Sequence, residues 1–312
     1  MRTLLLAALT TVSISSQAAE YKECGSLEKI YQPIIAFKDG FLGVQDNKVS
    51  YFNAKGSRKG MDINAYDLSH MRASANGAYL ALLRRDGIEV LDFGEKSKNP
   101  KKYYPLFYKN DLSVSHNTLR FSGNYVVAWL PDKVVLFNIK KEERLEKSID
   151  YEKDYWLSTW VLDGSVAGLY RGKDKTAHVV TYDNKLNESG RFNVKTLASG
   201  QDDNALGKNT DDSGYYISYV GPDANVMKVA NGTSSLVLKL PKNSFNYFNA
   251  TKDGVFVTEA KGSSPLSLNI YDFNTTEPRQ RINELASLVA LSVDENSFVA
   301  RDKSDNMKIY CR

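Results

Sequence analysis

One short mark recurs through the chain and limits what it can fold into. A strand-like run closes on an aromatic or aliphatic residue followed by Asn or Asp. It ends VSYFN at Asn53, IEVLD at Asp92, VVLFN at Asn138 and HVVTYD at Asp183. VMKVAN ends at Asn231, SLNIYD at Asp272, and in MKIYC the residue Cys311 takes the Asn/Asp place. Successive marks lie 39–48 residues apart, 43 on average. Ahead of each comes a turn and an apolar run. Asp39-Gly40 precedes FLGV, Asn76-Gly77 precedes AYLALL and Gly123-Asn124 precedes YVVAWL. Asp163-Gly164, Ser213-Gly214, Asp253-Gly254 and Glu295-Asn296 precede the remaining four. A unit of this size cannot bury a core alone, so seven copies must stack on one another.

Asn76–Phe93, NGAYLALLRRDGIEVLDF, shows the unit most clearly. Ala78–Leu83 is a continuous apolar run, as expected of a strand covered on both faces. Asp86-Gly87 supplies the positive φ of a tight hairpin, and Ile88–Phe93 is the returning strand. An inner strand precedes this hairpin and an outer strand follows it. After Asp92 the outer strand is expected at Lys102–Tyr108, KYYPLFY, where Pro105 is tolerated at a sheet edge. The period and strand content predict an all-β chain: a single seven-bladed β-propeller with one four-stranded blade per copy.

The closing pairs Phe52-Asn53, Leu91-Asp92, Phe137-Asn138, Tyr182-Asp183 and Tyr271-Asp272 resemble the Trp-Asp that ends the third strand of a WD40 blade. The resemblance covers nearly the whole chain after residue 19. It lies in period and strand-end position: the Gly-His of that family is missing and no copy carries Trp before Asp. In WD40-like propellers the ring is closed by strand exchange. Here the last copy ends at Cys311-Arg312 without an outer strand, and Glu20–Gln32 is the extended segment left to supply it. That exchange implies a ring closed by the N-terminal strand in the last blade, with Cys24 beside Cys311.

The chain opens MRTLLLAALTTVSISSQAAEYKEC. One basic residue, a short apolar core and small residues at Ala18-Ala19 form a secretory leader, too short for a membrane span. The competing reading is a buried N-terminal strand or helix. Cleavage after Ala19 divides the chain into a leader, 1–19, and a propeller domain, 20–312, with no second domain. Two cysteines in an exported chain read as a disulfide, Cys24 to Cys311; the alternative is two free thiols. Four Asn-x-Ser/Thr sequons, at Asn187, Asn231, Asn249 and Asn274, matter only in a glycosylating secretory pathway. The expected location is the periplasm or the secreted fraction.

A formal charge of +4 falls to +3 with Arg2 removed. So small an excess argues against nucleic acid as partner. No later run is long and apolar enough to insert in a membrane. His70, His116 and His178 are scattered and fit no zinc spacing. Asp202-Asp203, Asp211-Asp212 and Asp302 with Asp305 lack the EF-hand spacing and read as solvated loop acids rather than Ca²⁺ ligands. There is no nucleophile elbow and no phosphate-cradling glycine loop, so no cofactor, no metal and no catalytic set is expected.

The turns between second and third strands share one face and carry mixed charge. Arg84, Arg171 and Arg301 end the equivalent strand in three copies. Pointed at the channel mouth they would hold a carboxylate or an acidic loop of a partner; otherwise they are turn arginines paired to Asp86, Asp174 and Asp302. The aromatic runs YYPLFY at 103–108 and YWLSTW at 155–160 serve either packing between blades or a partner surface. Together these features point to a monomeric, non-catalytic exported propeller that binds another protein through its loop face, in one form an inhibitor or immunity protein against a toxin or hydrolase. The competing class is a propeller hydrolase or lyase with its site at the central channel.

Overall fold

The computed structural model describes residues 19–28, 30–74, 76–84, 87–94, 101–103, 119–129, 133–148, 155–162, 165–171, 177–194, 215–220, 223–230, 233–241, 245–251, 254–261, 264–292 and 294–312. Residues 1–18 of the expected leader, residues 104–108 of the KYYPLFY run, His116 and the acidic pairs at 202–203 and 211–212 lie outside them. The described residues form strands and turns and no helix. Hence no helix is long and apolar enough to cross a membrane.

Seven antiparallel sheets follow one another along the described chain. The N-terminal strand β1 (Lys22–Leu27) stands apart from this order. The first sheet is β2 (Tyr31–Phe37), β3 (Gly40–Gln45), β4 (Lys48–Asn53) and β5 (Arg58–Asn64). The second is β6 (Leu68–Ala73), β7 (Tyr79–Arg84), β8 (Gly87–Asp92) and β9 (Lys101–Tyr103). The third is β10 (Leu119–Ser122), β11 (Tyr125–Trp129), β12 (Lys133–Asn138) and β13 (Glu143–Ser148). The fourth is β14 (Tyr155–Leu162), β15 (Ser165–Arg171), β16 (Ala177–Asp183) and β17 (Glu188–Val194). The fifth has three described strands, β18 (Tyr215–Val220), β19 (Asp223–Ala230) and β20 (Thr233–Pro241). The sixth is β21 (Phe245–Ala250), β22 (Gly254–Lys261), β23 (Ser264–Asp272) and β24 (Gln280–Asn283). The seventh runs β25 (Leu285–Leu291), β26 (Ser297–Asp302), β27 (Met307–Cys311) and then β1.

The repeat seen in the sequence is a register. In five sheets the residue opening the second strand pairs with the Asn/Asp mark: Gly40 with Asn53, Tyr79 with Asp92, Tyr125 with Asn138, Ser165 with Asp183 and Gly254 with Asp272; in the fifth sheet, Tyr215 opens β18 opposite Lys228. Ser297 pairs with Cys311. At Gly40 and Gly254 a Cβ would lie 2.2 Å from the carbonyl oxygen of Phe52 or Tyr271, so only glycine fits those openings. The marks then turn the chain. Asn53 Oδ1 accepts from the backbone N–H of Lys55 and Ser57 at 3.0 and 2.9 Å. Asn138 Oδ1 accepts from Lys140 and Lys141, and Asp183 Oδ1 from Lys185 and Asn187. This is the local side-chain-to-backbone bonding that makes Asx residues good turn formers.

Consecutive sheets pack face to face, mainly through their second and third strands. Phe37, Leu42 and Val49 meet Leu80, Leu82 and Leu91 between the first and second sheets. Ala81 and Val90 meet Val126 and Val135 between the second and third. Val127 and Leu136 meet Val166 and Val180 next. Val226 and Leu238 meet Val255 and Val257 between the fifth and sixth, and Phe256 and Ile270 meet Leu288 and Phe298 after that. The seventh sheet packs on the first through Val299, Ile309, Phe41 and Phe52. Each such fully buried side chain contributes roughly 1.5–3 kcal/mol. The outer strands β13 and β5 are charged instead, reading ERLEKS and RKGMDIN, which blunts exposed sheet edges.

Two expectations are refined. The segment Glu20–Gln32 does not act as one strand: β1 ends at Leu27, and Tyr31-Gln32 already belong to β2. Cys24 does not face Cys311 directly. Lys22 does, and Cys24 is the extra residue of a bulge between Glu23 and Gly25. It reaches Cys311 diagonally.

Candidate functional site

The three arginines singled out by the repeat end β7, β15 and β26. Arg84 is half-buried and fully engaged at the end of β7. Its Nε donates to Glu89 Oε2 at 3.0 Å, Nη1 to the Tyr66 carbonyl at 2.9 Å and Nη2 to the Asn64 carbonyl at 2.8 Å. Glu89, on β8, is only 7% exposed at its side chain and also takes Lys102 Nζ at 3.2 Å. The expected partner Asp86 lies outside the described residues. Arg301 pairs with Asp305 at 3.2 Å rather than with Asp302. Asp302 is committed to its own turn: Oδ1 accepts from Ser304 and Asn306 N–H, and these bonds, Asn306 foremost, hold its carboxyl below the usual range. The backbone of Arg171 pairs with Ala177 and Tyr155; its side chain lies outside the description, as does Asp174.

Turns of this face are tied to the links between consecutive sheets. The Ala65 N–H donates to the Asn47 carbonyl at 2.8 Å, Gln45 Nε2 to the Glu28 carbonyl at 3.3 Å and the Lys303 N–H to the Glu284 carbonyl at 3.2 Å. Arg58 adds an exposed ion pair to Asp46. Charged side chains on this loop face therefore serve largely to fix turns. Arg84 acts on the β5–β6 turn, which links the first sheet to its own.

The opposite ends of the strands carry the entry into β1 and the C-terminal residues. The Cys24–Cys311 disulfide joins β1 to β27 with Cα atoms 5.9 Å apart, within the span such a bond requires. The Ala54 carbonyl oxygen lies 3.2 Å from one sulfur and 3.4 Å from the other. Neither bonded sulfur carries a proton, so this is packing. Tyr21 precedes β1 and is buried against Phe256 and Phe298, ring edge to face. Its hydroxyl donates to the Glu295 carbonyl at 2.5 Å. The Arg312 guanidinium sits over its ring, 4.7 Å from the centroid. Burial pushes the Tyr21 hydroxyl pKa up to about 12, against the pull of Arg312.

Sequence reasoning passed over Glu89, Tyr21, Gln280 and Arg120. A lone carboxylate within IEVLD and a lone cation within LRFS were visible signals for Glu89 and Arg120. Arg120 is fully buried on β10 and donates from Nη1 to the Leu119 carbonyl at 2.9 Å. Arg72, on β6, reaches the same carbonyl from its Nε at 3.4 Å. Burial and then the Arg72 charge push the His70 pKa below its ordinary value. The side chain of His178, on β16, lies outside the description. On β22–β24 of the sixth sheet, Glu259 Oε2 accepts from Ser267 and Asn269 at 3.0 and 3.1 Å, with Arg281 at 3.5 Å. Among the described residues no three His, Cys, Asp or Glu side chains are placed to hold a metal.

No protein-family model matches the chain, and no curated protein does. Solved structures do. A chain of the "Mitotic Checkpoint Complex" aligns over 100% of this chain and 99% of its own at 13% identity and a TM-score of 0.59. BamB from Moraxella catarrhalis aligns over 94% and 100% at 13% identity and 0.58. KlHsv2 with loop 6CD replaced by a Gly-Ser linker aligns over 87% and 90% at 14% identity and 0.57. These are WD40 and β-propeller structures, and what they share with this chain, at such identities, is a WD40-like β-propeller fold.

Proposed function

We propose that this chain is an exported, non-catalytic propeller of seven blades, closed by β1 in the last blade, that binds another protein through its loop face. An inhibitor or immunity protein against a toxin or hydrolase is its most specific form. The carrying observation is Arg84, whose guanidinium is spent on two carbonyls of the neighbouring β5–β6 turn and on Glu89. A charge used this way fixes a loop in advance of binding, which lowers the ordering cost of association. Export is supported by the leader-like residues 1–19 and by the disulfide, a bond of oxidising compartments. The periplasm or the secreted fraction follows, with a single copy as the working unit.

The test uses mature chain beginning at Glu20. Immobilised protein incubated with extracts of its source should retain one partner in a defined ratio, and the protein alone should run as a monomer in light scattering. Generic ester, phosphate and glycoside substrates should not turn over. Turnover lost on changing His70, His116 or His178 would replace this reading with the hydrolase or lyase class. An experimental map with six or eight blades would end the ring assignment.

A further inference from the structure

We infer that Tyr66 is the anchor of the partner-binding face, and that the partner offers it an apolar pocket rimmed by lysine or arginine. This rests on the binding reading above. Large hydrophobic side chains exposed among the described residues are Tyr66 at 70%, Leu236 at 51% and Leu145 at 44%. The two leucines lie on the outer strands β20 and β13. Tyr66 alone of the three stands on the loop face, in the turn joining β5 to β6.

That turn is held from every side. The Tyr66 N–H donates to Asn64 Oδ1 at 2.8 Å, and Arg84 takes the Asn64 and Tyr66 carbonyls. The Ala65 N–H donates to Asn47, and the Leu68 N–H to Ala65. Asp67 holds a φ of 60° to complete the bend. Met61, Ile63 and Ala65 pack inward beneath it. A flexible turn could fold an aromatic ring back onto the surface; this one presents the ring to water on an ordered backbone. Tyr binds with little side-chain entropy to lose and is enriched among interface residues that carry most of the affinity.

The surroundings set the partner's chemistry. Asp62 and Asp67 flank the ring in sequence and are exposed. Asp46, 76% exposed at its side chain, lies on the adjoining β3–β4 turn. Arg84 and Arg58 are engaged with Glu89 and Asp46. Arg58 offsets Asp46, and the exposed Lys48 stands across from Asn64; Asp62 and Asp67 leave this corner a small acidic excess, which a cationic rim complements. Arg84 is a positioning residue here, behind the residue that touches the partner.

The experiment places a benzoylphenylalanine photocrosslinker at position 66 and, separately, at Asn187 on the opposite end of the strands, in full-length protein expressed in its source. The crosslinked protein is identified, purified and titrated against wild type, Tyr66→Ala, Tyr66→Phe and Asp62→Asn/Asp67→Asn. Tyr66→Ala should keep its melting temperature and weaken binding about thirtyfold or more. Tyr66→Phe should stay close to wild type, and the Asp double variant should associate more slowly, chiefly at low salt. Crosslinking from 66 followed by wild-type affinity in Tyr66→Ala overturns the anchor and leaves the binding reading standing. Crosslinking only from 187 does the same. No adduct from either position overturns both. A dimer of the protein alone that Tyr66→Ala dissociates would overturn the foreign partner.

Discussion

Gln280 holds Tyr21 as a neighbouring strand would. Its Oε1 accepts the Tyr21 N–H at 2.9 Å and its Nε2 donates to the Tyr21 carbonyl at 2.7 Å, across 259 residues of sequence. One side-chain amide thus satisfies both backbone groups of the residue that leads β1 onto the last sheet. The backbone of the C-terminal residue is fixed beside it, where the Arg312 N–H donates to the Asn296 carbonyl at 2.8 Å.

Gln280→Ala removes both bonds and leaves half-buried backbone groups to find water. The expected loss is about 1–3 kcal/mol, the cost of leaving such groups unpaired. The check is a urea midpoint shift at unchanged slope, with faster hydrogen exchange at Tyr21. An unchanged midpoint would show that water replaces the amide at no cost.

Alkaline unfolding should report on Tyr21. Its hydroxyl titrates near 10 in the unfolded chain and at about 12 in the folded protein, because burial disfavours the phenolate. Between those values the unfolded state has released a proton that the native state keeps. Stability is therefore full below pH 10 and falls as pH rises towards 12. Tyr21→Phe should lose about 1 kcal/mol at pH 7 through the missing bond to Glu295, yet show a shallower decline in melting temperature above pH 10. Tyr51, Tyr271 and Tyr310 are shifted the same way, so a residual slope remains. A variant as steep as wild type would remove Tyr21 from the account.

The repeat was legible because register favours it: in five sheets the residue that opens the second strand meets an Asn or Asp turn former across the hairpin, and that pairing leaves the mark. The Cys24–Cys311 pair was legible because the last copy lacked an outer strand. The bulge at Cys24 was not, since nothing in KECGSL says which residue leaves the ladder. The role of Arg84 was also hidden. Its local sequence offers Asp86 as partner, whereas its contacts are Glu89 across the hairpin and two carbonyls on the preceding sheet's turn, visible only once the sheets are packed. Gln280 carried no signal, because an amide that imitates a strand looks like any other surface Gln.

The disulfide should add stability without setting the fold. β1 is paired to β27 from Lys22 to Leu27 and is anchored again by Tyr21. Reduction, or Cys311→Ser, should lower stability by roughly 3–5 kcal/mol, given a bridge closing a separation of 287 residues. Far-ultraviolet circular dichroism should keep its strand signal. Non-reducing peptide mapping of the protein purified from its source should recover the Cys24–Cys311 link; two free thiols there would contradict it.

Arg84→Ala should both destabilise the protein and loosen the turn that carries Tyr66. Glu89 is buried between Arg84 and the more exposed Lys102, at 3.0 and 3.2 Å. Removing the arginine leaves a buried carboxylate with one partner at the water's edge. Breaking such a pair from one side costs about 3 kcal/mol or more. Replacing both ends with apolar residues, Arg84→Met with Glu89→Leu, should recover part of that loss, because no buried charge remains. The unrecovered part belongs to the Asn64 and Tyr66 carbonyls, which Met cannot serve. Hydrogen exchange separates the two contributions. The Ala65 and Leu68 amides, bonded to Asn47 and Ala65, should exchange faster in both variants, while Leu91 in the core strand follows global stability. If those turn amides keep their protection in Arg84→Ala, Arg84 is a partner of Glu89 only, and the turn is held by its own backbone.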